Sequence, residues 1–392
     1  MDVTRTARRA IALAACGLSA VLVALVASPA SAGSAIAIDR SKQLPAAERA
    51  VIDAGAQAFL AASIDRTPGL WVAVWDPKRG YYEQAYGDAV AGSTPAVTAD
   101  HFLIGSITKT VFATAVLEQV AQGTLSLTDT VRKLDPALAR KYPAAAKATV
   151  AQLLGMRTQI PDYADAAVMQ QFANPQQHHT RDSLIALGIA QGKPLPPVGG
   201  YSTTNYLLLG KVMQHVTGRT PESLVNAVFA QARMRQSTLP TGSVHVPAPA
   251  AHGYVGAVAA DQAAQINPVL TAGTDVSDWT MEWGKEGGGS YSTIANLATW
   301  GSTCLGDSLL PDRLVKKRLQ TAAINAGDYG LGIIKDGAWL EHSGQALGYE
   351  AKVGCNPSTG QVYAYALNST YGTVDLTSYL DLPAILGAPA GG

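Results

Sequence analysis

Strand-forming runs sit at the two ends of this chain, and helix-forming runs fill its middle. Near the start, residues 70–75 (LWVAVW) are apolar and rich in β-formers. Residues 76–80 (DPKRG) make a turn, and 81–86 return, which predicts a hairpin. Near the end, 329–334, 350–355 and 361–367 are short β-rich runs separated by turns. Helical spacing marks 46–62 before the hairpin and 106–122 after it. In 106–122, Ile107, Val111, Phe112, Ala115, Val116 and Val120 predict one buried stripe, closed by Gly123. Residues 130–235 are mostly helical in pattern, with loops at 161–163 and 193–200. Residues 238–256, rich in Pro, Ala and Gly, have no clear period. A further helix is expected from about Thr293, and a last one over 373–386. Two groups of strands divided by a helical block imply one antiparallel sheet built from both ends of the chain. The expected class is α+β, an antiparallel sheet flanked by helices, with a mostly helical insertion at about 125–285.

Charge excludes one class of function. The 392 residues hold 29 Lys and Arg against 29 Asp and Glu, with no basic run, so no nucleic-acid partner is expected. The N-terminus reads as a signal peptide over 1–32. Arg5, Arg8 and Arg9 precede an apolar stretch at 11–27, and Ala30-Ser31-Ala32 offers small residues for cleavage. The Arg8-Arg9 pair also permits twin-arginine export. Cys16 lies in a Leu-Ala-Ala-Cys box, but apolar residues continue past it, which argues against lipidation. Residues 33–392 would then be one exported domain, with no later run of eighteen apolar residues to hold it in a membrane. Cys304 and Cys355 are an even pair in an exported chain, so a disulfide is expected. Neither has metal-ligand spacing to a His or Cys, and no metal or cofactor is expected.

Chemistry centres on Ser106-Ile107-Thr108-Lys109. Residues three apart share a helix face, so Lys109 can reach the Ser106 hydroxyl. A serine needs a base, and a lysine becomes one only when its pKa falls. A helix start also offers free N–H groups to an oxyanion. The bland alternative is a capping serine and a solvated lysine. Two further segments are weak alone. Tyr201-Ser202-Thr203 follows a Pro/Gly loop, and a tyrosine beside a lysine can move protons. His342-Ser343-Gly344 can form a strand edge with a small residue that lies along a substrate. An α/β-hydrolase elbow at Ser343 fails, because Glu341 stands where its first Gly should be.

Taken together, these segments resemble the serine β-lactamase and D,D-peptidase superfamily, in its class C β-lactamase, D,D-carboxypeptidase and esterase branch. The pattern is Ser-x-x-Lys, then Tyr-x-Asn, then Lys- or His-x-Gly. The runs 102–109, 124–129, 161–163, 201–210 and 329–332 are also similar to family signatures. The resemblance implies that Ser106 is acylated, that Lys109 tunes it and shuttles protons, and that Tyr201 is general base and then acid. It implies that His342, Ser343 and Gly344 line the substrate strand, and that the N–H groups of Ser106 and Gln345 form the oxyanion hole. Thr203 stands where the family has Asn, and a hydroxyl offers less than an amide. Met156-Arg157-Thr158-Gln159 replaces the usual His-Thr-Ser-Gly, and Tyr291-Ser292-Thr293 after Gly287-Gly288-Gly289 reads as structural. The implied activity is a D-alanyl-D-alanine carboxypeptidase acting on small peptides, with peptidoglycan stems as substrate. Alternatives are an esterase, a class C-like β-lactamase, or a β-lactam-binding module that does not turn over. A monomer is expected.

Overall fold

The computed structural model describes residues 37–62, 67–242, 245–264, 266–370 and 376–389. The expected signal peptide, Cys16 and the first residues of the expected last helix lie outside the described residues.

The hairpin near the start is present. Strand β1 (Gly69–Asp76) pairs antiparallel with β2 (Gly80–Val90), and β3 (Thr94–Pro95) extends it. From the C-terminal part come β6 (Ala322–Ile324), β7 (Gly327–Tyr329), β8 (Ile334–Asp336), β9 (Trp339–Ala346), β10 (Tyr349–Cys355) and β11 (Val362–Leu367). These strands form one antiparallel sheet in the order β3-β2-β1-β11-β10-β9-β8-β7-β6. The two ends of the chain meet at β1 and β11, with Val72 opposite Tyr365. Two short strands, β4 (Phe102–Leu103) and β5 (Tyr291–Ser292), pair with each other, and among the described residues only helices and loops lie between them.

Every residue of β1 is buried because both faces of the sheet are covered. Leu70, Val72 and Val74 point to one side. There they meet Ile52, Ala56 and Phe59 of the helix Ala46–Ala62, with Leu376, Leu382 and Leu386 from the C-terminal helices. Trp71, Ala73 and Trp75 point to the other side, into the main core. The helix Thr108–Ala121 runs through that core. The sequence predicts one buried stripe on it, but Thr108 to Leu117 are buried all round. Its threonines turn their hydroxyls to backbone carbonyls: Thr110 Oγ1 donates to Ile107 O and Thr114 Oγ1 to Thr110 O.

Three boundaries differ from expectation. Residues 105–107 form a 3-10 turn, and the α-helix begins only at Thr108. The run 329–334 is two strands joined by a Gly-rich turn, since Gly332 has φ +75 and its N–H bonds Leu154 O in the helical block. The last helix is broken at Asp381, which has φ +52, into Leu376–Tyr379 and Leu382–Leu386. Cys304 and Cys355 form a disulfide with Cα atoms 5.6 Å apart, tying the turn after the helix Ile294–Ser302 to the end of β10. No described helix is long and apolar enough to cross a membrane.

Candidate active site

Ser106 sits where the 3-10 turn feeds the buried helix, and β9 presses against that turn. Gly105 has φ +48, and a Cβ there would lie 2.4 Å from Gln345 N. A Cβ on Gly344 would lie 1.9 Å from Ile104 O and 3.0 Å from Ser106 N. Only glycines let the backbones approach this closely. The contact sets the backbone of Ser106 beside that of Gln345, the two residues whose N–H groups are expected to form an oxyanion hole. Strand β8 pairs with β9 only at Trp339, Leu340 and Glu341, so β9 beyond Glu341 has no strand partner on that edge among the described residues.

Lys109 Nζ donates to Ser106 Oγ at 2.9 Å and to Gly287 O at 2.6 Å. Its side chain is fully buried. Burial pushes the ammonium down to about 7, against the opposing pull of Asp162. Near neutral pH, therefore, an unprotonated amine is available one hydrogen bond from the serine.

Tyr201 completes the centre differently from the expected base. Its ring lies 4.8 Å from Lys109 Nζ, edge-on to Tyr329 at 5.9 Å and 6.2 Å from His342. Its hydroxyl is buried and meets no partner in hydrogen-bond geometry among the described residues. Burial holds this phenol well above its usual pKa, and nearby Ser106 offsets only part of that. The phenol is therefore protonated at neutral pH. His342 is also neutral, since burial takes it down to about 3. Its Nδ1–H donates to Ser343 O at 2.5 Å, so Nε2 accepts from Tyr329 OH at 3.0 Å. The side chain braces Tyr201 through Tyr329. Ser343 and Gln345, by alternation, are exposed on the opposite face of β9.

The residues missed in the sequence come from distant segments. Gly287 supplies the carbonyl that holds Lys109, so the glycine run is part of the site. Beside it, Glu286 is fully buried and accepts from Arg181 Nε at 2.9 Å, while Arg181 Nη2 donates to Glu222 Oε1 at 2.6 Å. Burial pushes the Glu286 carboxyl up to about 7 despite Arg181. Asp162, in the run 161–163, is a second such residue. Its Oδ1 accepts from Thr203 N at 3.0 Å and Ala164 N at 3.2 Å, and its Oδ2 has a long 3.4 Å contact with Thr203 Oγ1. Thr203, in the Asn position, thus pairs with a carboxylate at the cleft wall. Asn205 does not substitute, because it is buried and accepts from Thr158 Oγ1 at 2.7 Å. That bond, with Met156 Sδ near Ser202 N and Asn205 Nδ2, gives the Met156-Arg157-Thr158-Gln159 segment its structural role.

Ser106, Asp162, Tyr201, Thr203, Gly287 and Gln345 all open onto one cleft of about 1420 Å³. Asp165, Asp328, Asp336 and Glu350 also line it, against Lys335 and Lys352, and Lys352 is paired with Glu341 at 3.0 Å. The cleft is acidic.

A family model described as Beta-lactamase matches residues 52–385. The chain belongs to the Beta-lactamase family. Members of this Beta-lactamase family are serine hydrolases, and solved structures agree on the fold. A D-stereospecific amidohydrolase from Streptomyces sp. is 25% identical, with a TM-score of 0.72, covering 86% of this chain and 99% of its own. A D-amino acid amidase from Ochrobactrum anthropi SV3, complexed with L-phenylalanine, is 21% identical, with a TM-score of 0.73 and coverage of 86% and 99%. An octameric penicillin-binding protein homologue from Pyrococcus abyssi is 22% identical, with a TM-score of 0.71 and coverage of 87% and 78%.

Proposed function

We propose that this chain is an exported amidohydrolase that forms an acyl-enzyme on Ser106 and acts on small amides or short peptides of D-amino acids bearing a free amine. One observation carries the chemistry: Lys109, buried and near half-neutral at pH 7, bridges Ser106 Oγ and Gly287 O. Neutral Lys109 takes the serine proton as Oγ bonds to the carbonyl carbon. The oxyanion is held by the N–H groups of Ser106 and Gln345. Tyr201 gives its proton to the leaving nitrogen as the C–N bond breaks, and recovers it from Lys109. Water then attacks the ester and loses a proton to the same pair, which passes it to Ser106 Oγ as the ester C–O bond breaks, releasing the acid and the free serine.

Electrostatics supports the choice of substrate. Asp162 bonds Thr203 and its charge acts on Lys109, which offsets part of the rise that burial gives its carboxyl; its Oδ2, with only the long Thr203 contact, can accept from an ammonium group. His342 is neutral and gives no cation to a substrate carboxylate. A relative described as a D-stereospecific amidohydrolase supports the same class. Export rests on the N-terminal pattern and on the Cys304–Cys355 disulfide.

The D-alanyl-D-alanine carboxypeptidase is the second reading, favoured by the unpaired edge of β9 beyond Glu341, where a peptide can add as a strand. Kinetics with D-phenylalanine amide, N-acetyl-D-phenylalanine amide and an acyl-D-Ala-D-Ala peptide separate the two. The amine-bearing amide is expected to be the best substrate. Preference for the acylated peptide would select the carboxypeptidase, and an adduct without turnover would select the binding module.

Asp162→Asn is expected to lower kcat/KM for D-phenylalanine amide about ten- to a hundredfold, with a smaller loss for its N-acetyl form. Asp162 raises the Lys109 pKa, so the variant's activity should also extend to lower pH. An equal loss on both substrates would remove Asp162 as the ammonium anchor.

A further inference from the structure

The family's Tyr-x-Asn amide is absent here, and the cleft contains an amide from elsewhere. Asn325 lies at the tip of the β6–β7 hairpin, between Ile324 and Gly327, which pair across it. Its Oδ1 accepts the backbone N–H of Tyr201 at 2.8 Å. Only the carbonyl oxygen can accept from that N–H, so the orientation of the amide is fixed by chemistry. The –NH2 group therefore points away from Tyr201 N, and among the described residues it donates to no protein acceptor. Asn325 is exposed and lines the cleft with Ser106 and Tyr201. The hairpin is held in place from its base, where Arg157 donates to Gln320 O at 2.7 Å. Tyr201 is the proton donor to the leaving nitrogen, so a group bonded to the backbone of Tyr201 stands on the leaving-group side.

We propose that Asn325 is a specificity-determining residue with two roles: its oxygen positions Tyr201, and its –NH2 donates to a carbonyl oxygen of an amino-acid leaving group. This rests on the acyl-enzyme reading of the site and extends it to the leaving group. The chain would then favour cleavage between two residues over release of ammonia, because ammonia carries no carbonyl. Asp162 would recognise the amine of the acyl donor, and Asn325 the group departing from it. The amide lost at Thr203 is thereby replaced from the β6–β7 hairpin.

The test uses two neutral leaving groups on one acyl donor, so that an introduced charge does not decide the result. D-phenylalanine amide releases ammonia, and D-phenylalanyl-D-alanine amide releases an amino-acid amide. Asn325→Asp keeps an acceptor for Tyr201 N–H and removes the donor. The ratio of kcat/KM, dipeptide amide over simple amide, is expected to fall about tenfold in this variant. Asn325→Ala removes both roles and is expected to lower kcat on both substrates as well as the ratio. An unchanged ratio in Asn325→Asp, with wild type active on both, would overturn the leaving-group contact. A wild type inactive on both would instead overturn the reading of the site, and this inference with it.

Discussion

Ser106→Ala is expected to abolish the covalent adduct and to lower kcat/KM by at least about 10⁴-fold. The reason is geometric. Lys109 Nζ has two partners, Ser106 Oγ at 2.9 Å and Gly287 O at 2.6 Å. Removing the hydroxyl leaves the amine held by Gly287 but facing no nucleophile. The proposed oxyanion hole would persist, because it is backbone from Ser106 and Gln345 and depends on the close approach at Gly105 and Gly344 rather than on the serine side chain. Residual rate would come from that hole and from binding. The variant should fold normally, since one oxygen is lost from a half-buried position. Intact masses of wild type and variant, taken over time with a labelled penicillin and with a D-phenylalanine ester, give the result directly. An adduct on wild type alone is expected with at least one of them. Retained hydrolysis in Ser106→Ala would sink the assignment of the nucleophile.

What the sequence made legible was local. The hairpin around 76–80 follows from a turn between two β-rich runs, and its structure differs from expectation only in length. The spacing of Ser106 and Lys109 puts their side chains on one side, and this holds although Ser106 lies in the 3-10 turn and Lys109 in the α-helix, because residues three apart also align in a 3-10 turn. On 106–122 the sequence shows only one stripe, because burial of Thr108, Thr110 and Thr114 depends on other elements covering that helix. Threonine looks polar in sequence, but its hydroxyl is satisfied by its own helix. The site failed to be legible where its parts come from far apart. Gly287 reaches Lys109 across 178 residues, and Asn325 reaches Tyr201 across 124. No periodicity records such a contact. The protonation states were hidden for the same reason. Tyr201 beside a lysine suggests an ionised phenol, but burial of its hydroxyl outweighs the pull of Ser106 and keeps it protonated. His342 is neutral because it is buried beside the charges of Lys109 and Arg318, which together outweigh its hydrogen bond to Ser343 O, and none of this shows in sequence.

Lys109→Met is expected to slow acylation about 10²- to 10⁴-fold, and its effect on stability should depend on pH in a defined direction. In catalysis the useful form is the neutral amine. With the group near 7, wild-type kcat/KM should rise with pH through about 7 and then level off. The variant's residual rate should lack that limb. Stability follows from the same shift. The folded pKa lies below the ordinary 10.5, so between about 7 and 10.5 the unfolded chain binds more protons than the folded one. Stability of the wild type therefore rises with pH across that window. Below 7 it bears the full cost of a buried ammonium. Methionine has no such cost at any pH, although it leaves Gly287 O without its donor. That second loss is independent of pH, so the pH-dependent part isolates the lysine. Urea unfolding of both proteins at pH 6 and pH 9 reads it. The stability of wild type relative to the variant should be lowest at pH 6 and should recover toward pH 9. Parallel curves would mean that Lys109 titrates near its ordinary value. Such a lysine would be protonated at neutral pH and unable to take the serine proton, so the base in acylation would have to be sought elsewhere in the cleft.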